Sequence, residues 1–238
     1  MPKEAAERKK ILITGATDGI GLALAKRLGS KHNLILTGRK AAHSDLPEGA
    51  TYVQADQSDP LTAAQTVLKA IEIAGWDSLD IAVLNAGTGF AAGDGFDALE
   101  IICTTLDVNL SANIALAHAL FPLLDKTQGT LSFVGSVAHD GSPLFPAYAA
   151  SKAGLDALAR ALRSEWQGKV TVQIIHPGPT DTSMQTKAGY DAGKLRRVFI
   201  KPEIMAEMLE AAIAGKKSPV TLSFARRATF SFWTGRGL

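Results

Sequence analysis

The chain has 238 residues, 46% of them hydrophobic, and its 25 Lys and Arg nearly balance its 23 Asp and Glu. This length suits one large α/β unit with an ample core, so we expect residues 1–238 to form a single domain. The balanced charge gives no reason to expect nucleic acid or an acidic membrane as a partner, and no run approaches the roughly 20 apolar residues of a membrane span.

Apolar strand-like runs alternate with helical patterns along the chain. We predict strands at residues 11–14, 33–37, 50–54, 80–84, 130–135, 170–175 and 220–224. Helices are predicted at 19–29, 60–74, 96–107, 109–125 and 146–166, with another that starts near residue 202. This alternation predicts an α/β fold with a parallel sheet and helices on both faces. Ligands of such sheets bind outside the carboxyl ends of the strands.

The single cysteine and the N-terminus indicate a compartment. Cys103 has no partner for an intramolecular disulfide, which suits a reducing environment, and we expect a cytoplasmic protein. Because Cys103 lies in the apolar stretch 99–103, we predict a small buried hydrophobic side chain rather than a nucleophile. The first ten residues are charged and lack the apolar core of a secretory signal.

A glycine-rich turn, TGATDGIG at residues 14–21, follows the first predicted strand and opens the first helix. Gly15 would permit a tight turn, Gly19 would let the backbone approach a pyrophosphate, and Gly21 would let the helix pack on the strand. The helix N-terminus offers free N–H groups and a positive dipole end to phosphates. An ordinary turn is the alternative, but the strand–turn–helix order favours a dinucleotide site.

The stretch YAASK, which follows Ser136 by twelve residues, places Tyr148 and Lys152 four residues apart. With about 3.6 residues per turn, a helix brings both side chains to one face. An adjacent cation favours the phenolate, so we expect Lys152 to lower the pKa of Tyr148 and make it a general acid and base. A solvated lysine on a helix surface is the alternative.

These motifs together resemble the short-chain dehydrogenase/reductase family over roughly the whole chain. The resemblance consists of T-G-x-x-x-G-x-G, LNAG at residues 84–87, Ser136 and YAASK, in that order. It implies a single Rossmann-type, doubly wound parallel sheet of about seven strands in the order 3-2-1-4-5-6-7. It also implies a catalytic set and a dinucleotide-binding set.

In the catalytic set, the resemblance implies that Tyr148 is the general acid or base and that Lys152 lowers its pKa and holds the nicotinamide ribose. Ser136 would hydrogen-bond the substrate oxygen. Asn109 would hold a water that links Lys152 to solvent, although Asn109 could equally be a helix cap.

The implied dinucleotide-binding residues come from six parts of the chain. Asp56 would accept a hydrogen bond from the adenine amine, with a strand-end cap as the alternative. The NAG segment would border the cofactor, and Pro177 would help to shape the nicotinamide pocket, with plain turns as alternatives at both places. The full set is Gly15, Thr17, Asp18, Gly19, Ile20, Gly21, Arg39, Asp56, Asn85, Ala86, Gly87, Tyr148, Lys152, Pro177, Gly178, Thr180 and Thr182.

The end of the second predicted strand bears on the choice of cofactor. Gly38 stands where NAD-preferring relatives carry an acidic ribose ligand, and Arg39 follows it. An arginine is a charge-assisted partner for a 2′-phosphate, so we expect NADP(H), with NAD(H) as the alternative. Asp18 in the glycine turn argues against this preference, and an ordinary surface charge is the alternative for Arg39.

Several other segments carry weaker expectations. His118, His139 and His176 show no metal-ligand spacing, so no metal is expected. His139 could border the substrate but is more typical of a solvated loop. Residues 182–200 suggest a short lid, with an ordinary surface loop as the alternative. The aromatic segment 229–238 is predicted to pack on the body or on another subunit.

The leading hypothesis is an NADP(H)-dependent oxidoreductase acting on a small-molecule carbonyl/alcohol pair, in a homodimer or homotetramer formed through helices near 97–125 and 147–166. Leu144, Phe145 and the region of Tyr190 would line the substrate pocket. A dinucleotide-binding regulator without catalysis is the main alternative. A nucleotide-sugar epimerase or dehydratase fits less well, because only about 60 residues follow Pro177 and the glycine spacing differs.

Overall fold

The computed structural model describes residues 7–41, 45–90, 98–143, 145–184 and 193–223. Its seven strands form one parallel sheet in the order 3-2-1-4-5-6-7, as the sequence predicts. The strands are β1 Lys10–Ile13, β2 Asn33–Gly38, β3 Thr51–Gln54, β4 Ile81–Leu84, β5 Thr130–Val134, β6 Thr171–Pro177 and β7 Val220–Leu222.

Helices follow the strands in the predicted places, with one difference. The α-helices are α1 Gly19–Gly29, α2 Pro60–Ile73, α3 Leu99–Leu106, α4 Ala112–Asp125, α5 Pro146–Glu165 and α6 Pro202–Gly215. Where two separate helices are predicted, a π-helical turn at Asp107–Ser111 joins α3 to α4 in one continuous stretch. Short 3-10 helices occupy Val137–Asp140 and Gly193–Val198.

Alternate residues of the strands pack on opposite faces of the sheet, because successive side chains of a strand point in opposite directions. Leu12 belongs to a core cluster with residues of α2, α4 and α5. Its neighbours Ile11 and Ile13 belong to a second cluster with residues of α1 and α6. Helices therefore cover both faces, and the open edge at the carboxyl ends of the strands is left for a ligand.

Helices α1 and α2 begin at N-termini that an aspartate side chain caps. The carboxylate of Asp59 accepts a hydrogen bond from the N–H of Thr62, and Pro60 occupies the first turn of α2. Asp18 caps α1 by accepting from the N–H of Gly19. These caps fix where both helices start, relative to the sheet edge that carries the candidate site.

The stretch from α3 to α4 departs from two expectations. Among the residues that the structure describes, Leu99–Asp125 is long and apolar enough to cross a membrane, but length and composition alone do not establish a span. Leu116, Leu120 and Leu124 on its inner side are buried against the sheet. Cys103 is exposed, so its predicted burial is wrong. The apolar run that contains it turns only part of its surface toward the core.

Candidate active site

Ser136, Tyr148 and Lys152 meet at the carboxyl edge of the sheet. Ser136 follows β5, and the first two turns of α5 carry Tyr148 and Lys152. The side chain of Lys152 is buried, with Nζ donating to the carbonyl of Val134 at 2.9 Å and lying 5.6 Å from the centre of the Tyr148 ring. Tyr148 makes a side-chain hydrogen bond with Ser136. The three residues thus form one cluster.

The electrostatics of this cluster are set by burial. Desolvation lowers the pKa of Lys152 from 10.5 to about 8, because the ammonium has lost its water. Burial raises the pKa of Tyr148, and the hydrogen bond with Ser136 opposes that rise. The expectation that Lys152 lowers the phenol pKa is therefore wrong for the protein by itself. The phenol pKa lies above its ordinary value because burial of the phenolate outweighs the hydrogen bond with Ser136.

Asn109 lies in the π-helical turn and is fully buried. Its Oδ1 accepts from the N–H of Thr88 at 2.8 Å, and its Nδ2 donates to the carbonyl of Thr88 at 2.8 Å and to Oγ of Ser151 at 3.0 Å. The Ser151 hydroxyl donates to the carbonyl of Tyr148. Asn109 is therefore not a helix N-cap but ties the loop after β4 to α5.

Gly87 lies close to both Asn109 and Lys152. A Cβ atom at position 87 would lie 3.3 Å from Oδ1 of Asn109 and 3.4 Å from Nζ of Lys152. A side chain at this position would therefore press on the amide of Asn109 and contact the ammonium of Lys152. The NAG segment thus borders both polar groups.

The glycine turn is packed so closely that two of its positions exclude a larger side chain. Gly15 has φ +64°, and a Cβ on it would lie 2.7 Å from Cα of Ala86. A Cβ on Gly21 would lie 2.2 Å from the carbonyl oxygen of Gly15. Gly15 therefore lets the turn pack on Ala86, and Gly21 lets α1 pack on the turn, so that the N-terminus of α1 lies at the sheet edge where folds of this kind bind a pyrophosphate.

Asn85 and Ala86 hold this turn against β4. Oγ1 of Thr14 accepts from the backbone N–H groups of both residues at 3.0 Å. The Asn85 amide donates to the carbonyls of Thr14 and Gly15 at 3.0 and 3.2 Å. The NAG segment thus lies against the predicted phosphate loop. These hydrogen bonds of the NAG segment hold the glycine turn in place.

The chain after β6 returns to the glycine turn. Gly178 donates its N–H to the carbonyl of Leu222, which holds the Pro177–Gly178 turn against β7. Thr180 forms an isolated parallel β-bridge with Ile200. A Cβ on Gly19 would lie 3.0 Å from Cγ2 of Thr182. The segment that would contact a nicotinamide therefore lies beside the loop that would hold the phosphates.

The carboxylate of Asp18 accepts from the N–H of Gly19 and from the hydroxyl of Ser183. Farther along, Nε of Arg196 lies 2.7 Å from the carboxylate of Asp181. Residues 185–192 of the predicted lid, with Tyr190, lie outside the described residues, as do Leu144 and the segment 229–238. Ile20 and Thr17 lie half-buried in the glycine turn.

The cofactor-selecting positions lie at the end of β2. A Cβ on Gly38 would lie 2.7 Å from Cγ2 of Thr17, so a larger residue would press on the glycine turn. Arg39 is exposed, and its carbonyl accepts from the Gln54 amide. The Asp56 carboxylate accepts from the N–H of Ser58 at 3.0 Å, which is the strand-end capping role.

The sequence does not predict a histidine pair beside Ser136. His176 is buried at the end of β6, and the rings of His139 and His176 stack with centroids 4.1 Å apart. The interpretation of His139 as a solvated loop residue is therefore wrong. The only local signal is a histidine at the end of an apolar strand. Among the described residues, no group of three or more His, Cys, Asp or Glu could hold a metal ion.

Comparisons with known proteins agree with this arrangement. The family model described as short chain dehydrogenase matches residues 9–192. A short-chain dehydrogenase of Pyricularia oryzae is 33% identical over 196 residues, covering 71% of this chain and 75% of that protein.

Two further relatives carry different descriptions. The cyclic-di-GMP-binding biofilm dispersal mediator protein of Escherichia coli is 32% identical over 192 residues, covering 76% of this chain and 77% of its own. A crystal structure of a Burkholderia cenocepacia short chain dehydrogenase in complex with NADP has a TM-score of 0.79 and 28% identity, covering 92% of this chain and 98% of that one. The chain therefore belongs to the short-chain dehydrogenase/reductase family of oxidoreductases.

Proposed function

We propose that this protein is an NADP(H)-dependent oxidoreductase that acts on a carbonyl/secondary alcohol pair, with Tyr148 as the general acid and base. The observation that carries the proposal is the cluster of Ser136, Tyr148 and Lys152, in which the lysine is buried and the other two side chains are half-buried. It lies at the same sheet edge as the glycine turn. A dinucleotide held by that turn would extend along this edge toward the phenol.

The residues of the glycine turn fit a dinucleotide. Gly15 and Gly21 allow the close packing of the turn that positions the N-terminus of α1, where N–H groups and the helix dipole favour phosphate. When bound, the cofactor supplies or accepts the hydride. Arg39 is exposed beside this turn. Because Gly38 before it has no side chain, that position offers no obstacle to a 2′-phosphate that the arginine would bind. The NADP-bound relative supports this preference.

In the reductive direction, Tyr148 would protonate the carbonyl oxygen of the substrate, which Ser136 would hold by a hydrogen bond. The resulting phenolate would recover a proton from Lys152. A pKa of about 8 lets Lys152 both give and regain a proton near neutral pH. Asn109, which like Lys152 borders Gly87, would then hold a water that leads the proton from solvent. In the oxidative direction the same groups would work in reverse.

The relative described as a cyclic-di-GMP-binding protein supports the second candidate, a binding protein without turnover. The complete set of Ser136, Tyr148, Lys152 and Asn109 favours the enzyme instead, because a buried lysine is costly to retain without use.

A panel of ketones, aldehydes and secondary alcohols, assayed with NADPH and with NADH by nicotinamide absorbance, separates the candidates. We expect turnover with NADPH and a lower kcat/KM with NADH. Tight dinucleotide binding with no turnover on any member of the panel would support the regulator. Equal or better kcat/KM with NADH would contradict the assignment of Arg39.

A further inference from the structure

His176 is buried against the loop that carries Ser136. Its Nδ1 lies 3.2 Å from the carbonyl oxygen of Ser136, and its ring is 1% exposed. A carbonyl oxygen can only accept a hydrogen bond, so Nδ1 must carry a proton for this contact to be favourable. The backbone N–H of His139 donates to the same carbonyl at 3.1 Å. Two donors therefore hold the main chain of Ser136.

Gly135 makes room for this imidazole. A Cβ at position 135 would lie 2.5 Å from Nδ1 of His176 and 2.9 Å from Cε1, so the ring occupies the space of the missing side chain. Gly135 also donates its N–H to the carbonyl of Ile175 at 2.7 Å. The ring is thus packed directly on the residue before Ser136, and small movements of the ring would be transmitted to that residue.

The other ring nitrogen has no hydrogen-bond partner. Nε2 of His176 is buried and lies 3.5 Å from Oδ1 of Asp156, whose other oxygen pairs with Arg160. The pKa of His176 is lowered, first by burial and then by the stacked His139, while Asp156 opposes the shift. A proton on Nδ1 satisfies the carbonyl of Ser136 at 3.2 Å, which is the nearer of the two acceptors that face the ring, since Oδ1 of Asp156 lies 3.5 Å from Nε2.

Hydrogen bonds from two side chains hold the backbone around Ser136. Lys152 Nζ donates to the carbonyl of Val134 at 2.9 Å, and His176 holds the carbonyl of Ser136. Between these two points, Oγ of Ser136 accepts from the N–H of Ala138 at 3.1 Å and is hydrogen-bonded to Tyr148. The position of the Ser136 hydroxyl therefore depends on the hydrogen bonds from both Lys152 and His176.

We propose that His176 is a positioning residue for Ser136, which holds the serine hydroxyl against Tyr148 through the hydrogen bond from Nδ1 to the Ser136 carbonyl. This inference rests on the proposed function, which places Ser136 beside the reacting oxygen. It assigns His176 no contact with substrate or cofactor. The Ser136 carbonyl supplies the acceptor for Nδ1, and the absence of a Cβ at Gly135 leaves room for the ring.

The first test needs neither substrate nor cofactor. Nitrogen-15 NMR of the imidazole rings reports the tautomer of His176, assigned with His176→Asn, and we expect the proton on Nδ1. Carbon-13 NMR of Cζ-labelled tyrosine at neutral pH reports the Tyr148 hydrogen bond, assigned with Tyr148→Phe. Ser136→Ala should move the Tyr148 signal, and His176→Leu, which fills the ring volume without a donor, should move it in the same direction.

His176→Asn is the conservative variant, because its amide nitrogen falls at the place of Nδ1 and can still donate to Ser136. It should leave the Tyr148 signal at its wild-type position. His32→Leu, at the opposite edge of the sheet and half-buried, is the control and should leave the signal unchanged. If His176→Leu does not fold, His176→Gln, whose amide lies one carbon farther from the main chain, replaces it.

In an enzyme assay, His176→Leu should lower kcat by on the order of tenfold to a hundredfold, with the KM for dinucleotide unchanged, because a displaced reacting group costs about this much. His176→Asn should restore most of kcat. In a Ser136→Ala background His176→Leu should have no further effect. The proposal is overturned if His176 carries its proton on Nε2, if the Asn and Leu variants shift Tyr148 equally, or if the Leu effect persists without Ser136. None of the NMR outcomes depends on turnover.

Discussion

Two lysines near the opposite ends of α5 lie over aromatic rings in nearly the same geometry. Nζ of Lys152 is 5.6 Å from the centre of the Tyr148 ring, and Nζ of Lys169 is 5.8 Å from the centre of the Phe121 ring. Lys152 is 3% exposed, whereas Lys169 lies in water before β6 begins. Only Lys152 has lost its solvent, and its pKa falls to about 8. Burial, more than the contact with a ring, makes a lysine chemically useful.

The difference between these lysines should be largest in catalysis. Lys152→Met should lower kcat by about 10²-fold or more, because it removes the group that returns the proton to Tyr148. Lys169→Met is the matched control and should leave kcat unchanged. Steady-state kinetics on the best substrate of the carbonyl panel measures both. Similar losses in the two variants would mean that burial of Lys152 has no special part in turnover.

The pH dependence of stability should also separate the two lysines. The pKa of Lys152 is about 8 in the folded protein, against 10.5 for a lysine in water. Between these values the unfolded chain keeps the proton and the folded chain releases it, so the free energy of unfolding rises with pH. We expect a gain of about 3 kcal/mol across this window from Lys152.

Urea unfolding followed by circular dichroism, at the two ends of that pH window, measures this gain. Lys152→Met should lack it and Lys169→Met should retain it, so that other titrating groups cancel in the comparison. A Lys152→Met protein with the wild-type pH dependence would show that the ammonium is not desolvated.

Arg39 extends the comparison of buried Lys152 with exposed Lys169, because it is an exposed cation for which we propose a function. Its partner would be the 2′-phosphate of the cofactor, so no burial by the protein is required. Arg39→Ala should raise the dissociation constant for NADPH by about tenfold, as expected for a charge-assisted hydrogen bond. The constant for NADH, measured by the same fluorescence titration, should change little. A parallel loss for both cofactors would remove the selectivity argument.

The smallest effect is expected for the stability contribution of Lys169. An exposed cation over a ring contributes only about 0.5–1 kcal/mol. Lys169→Met should therefore change the free energy of unfolding at neutral pH by less than about 1 kcal/mol, measured by urea unfolding. A much larger loss would show that the exposed pair is not the surface contact described above.

Sequence reasoning predicts the sheet and the cluster of Ser136, Tyr148 and Lys152, because strand periodicity and helical spacing are local properties. It does not predict the pKa of Tyr148, since that depends on how much of the chain covers the phenol. The stack of His139 on His176 brings together residues far apart in the chain, through the pairing of β5 with β6. The exposure of Cys103 depends similarly on which side of α3 packs inward.

Proton donation by Tyr148 is tested most directly by a single turnover. Wild-type protein and Tyr148→Phe are each loaded with NADPH, binding is verified by nicotinamide fluorescence, and a ketone reduced by the wild type is added in a stopped-flow instrument. We predict that Tyr148→Phe keeps its bound NADPH but oxidises it at least about 10²-fold more slowly. Oxidation at the wild-type rate by the phenylalanine variant would contradict the assignment of Tyr148 as the acid.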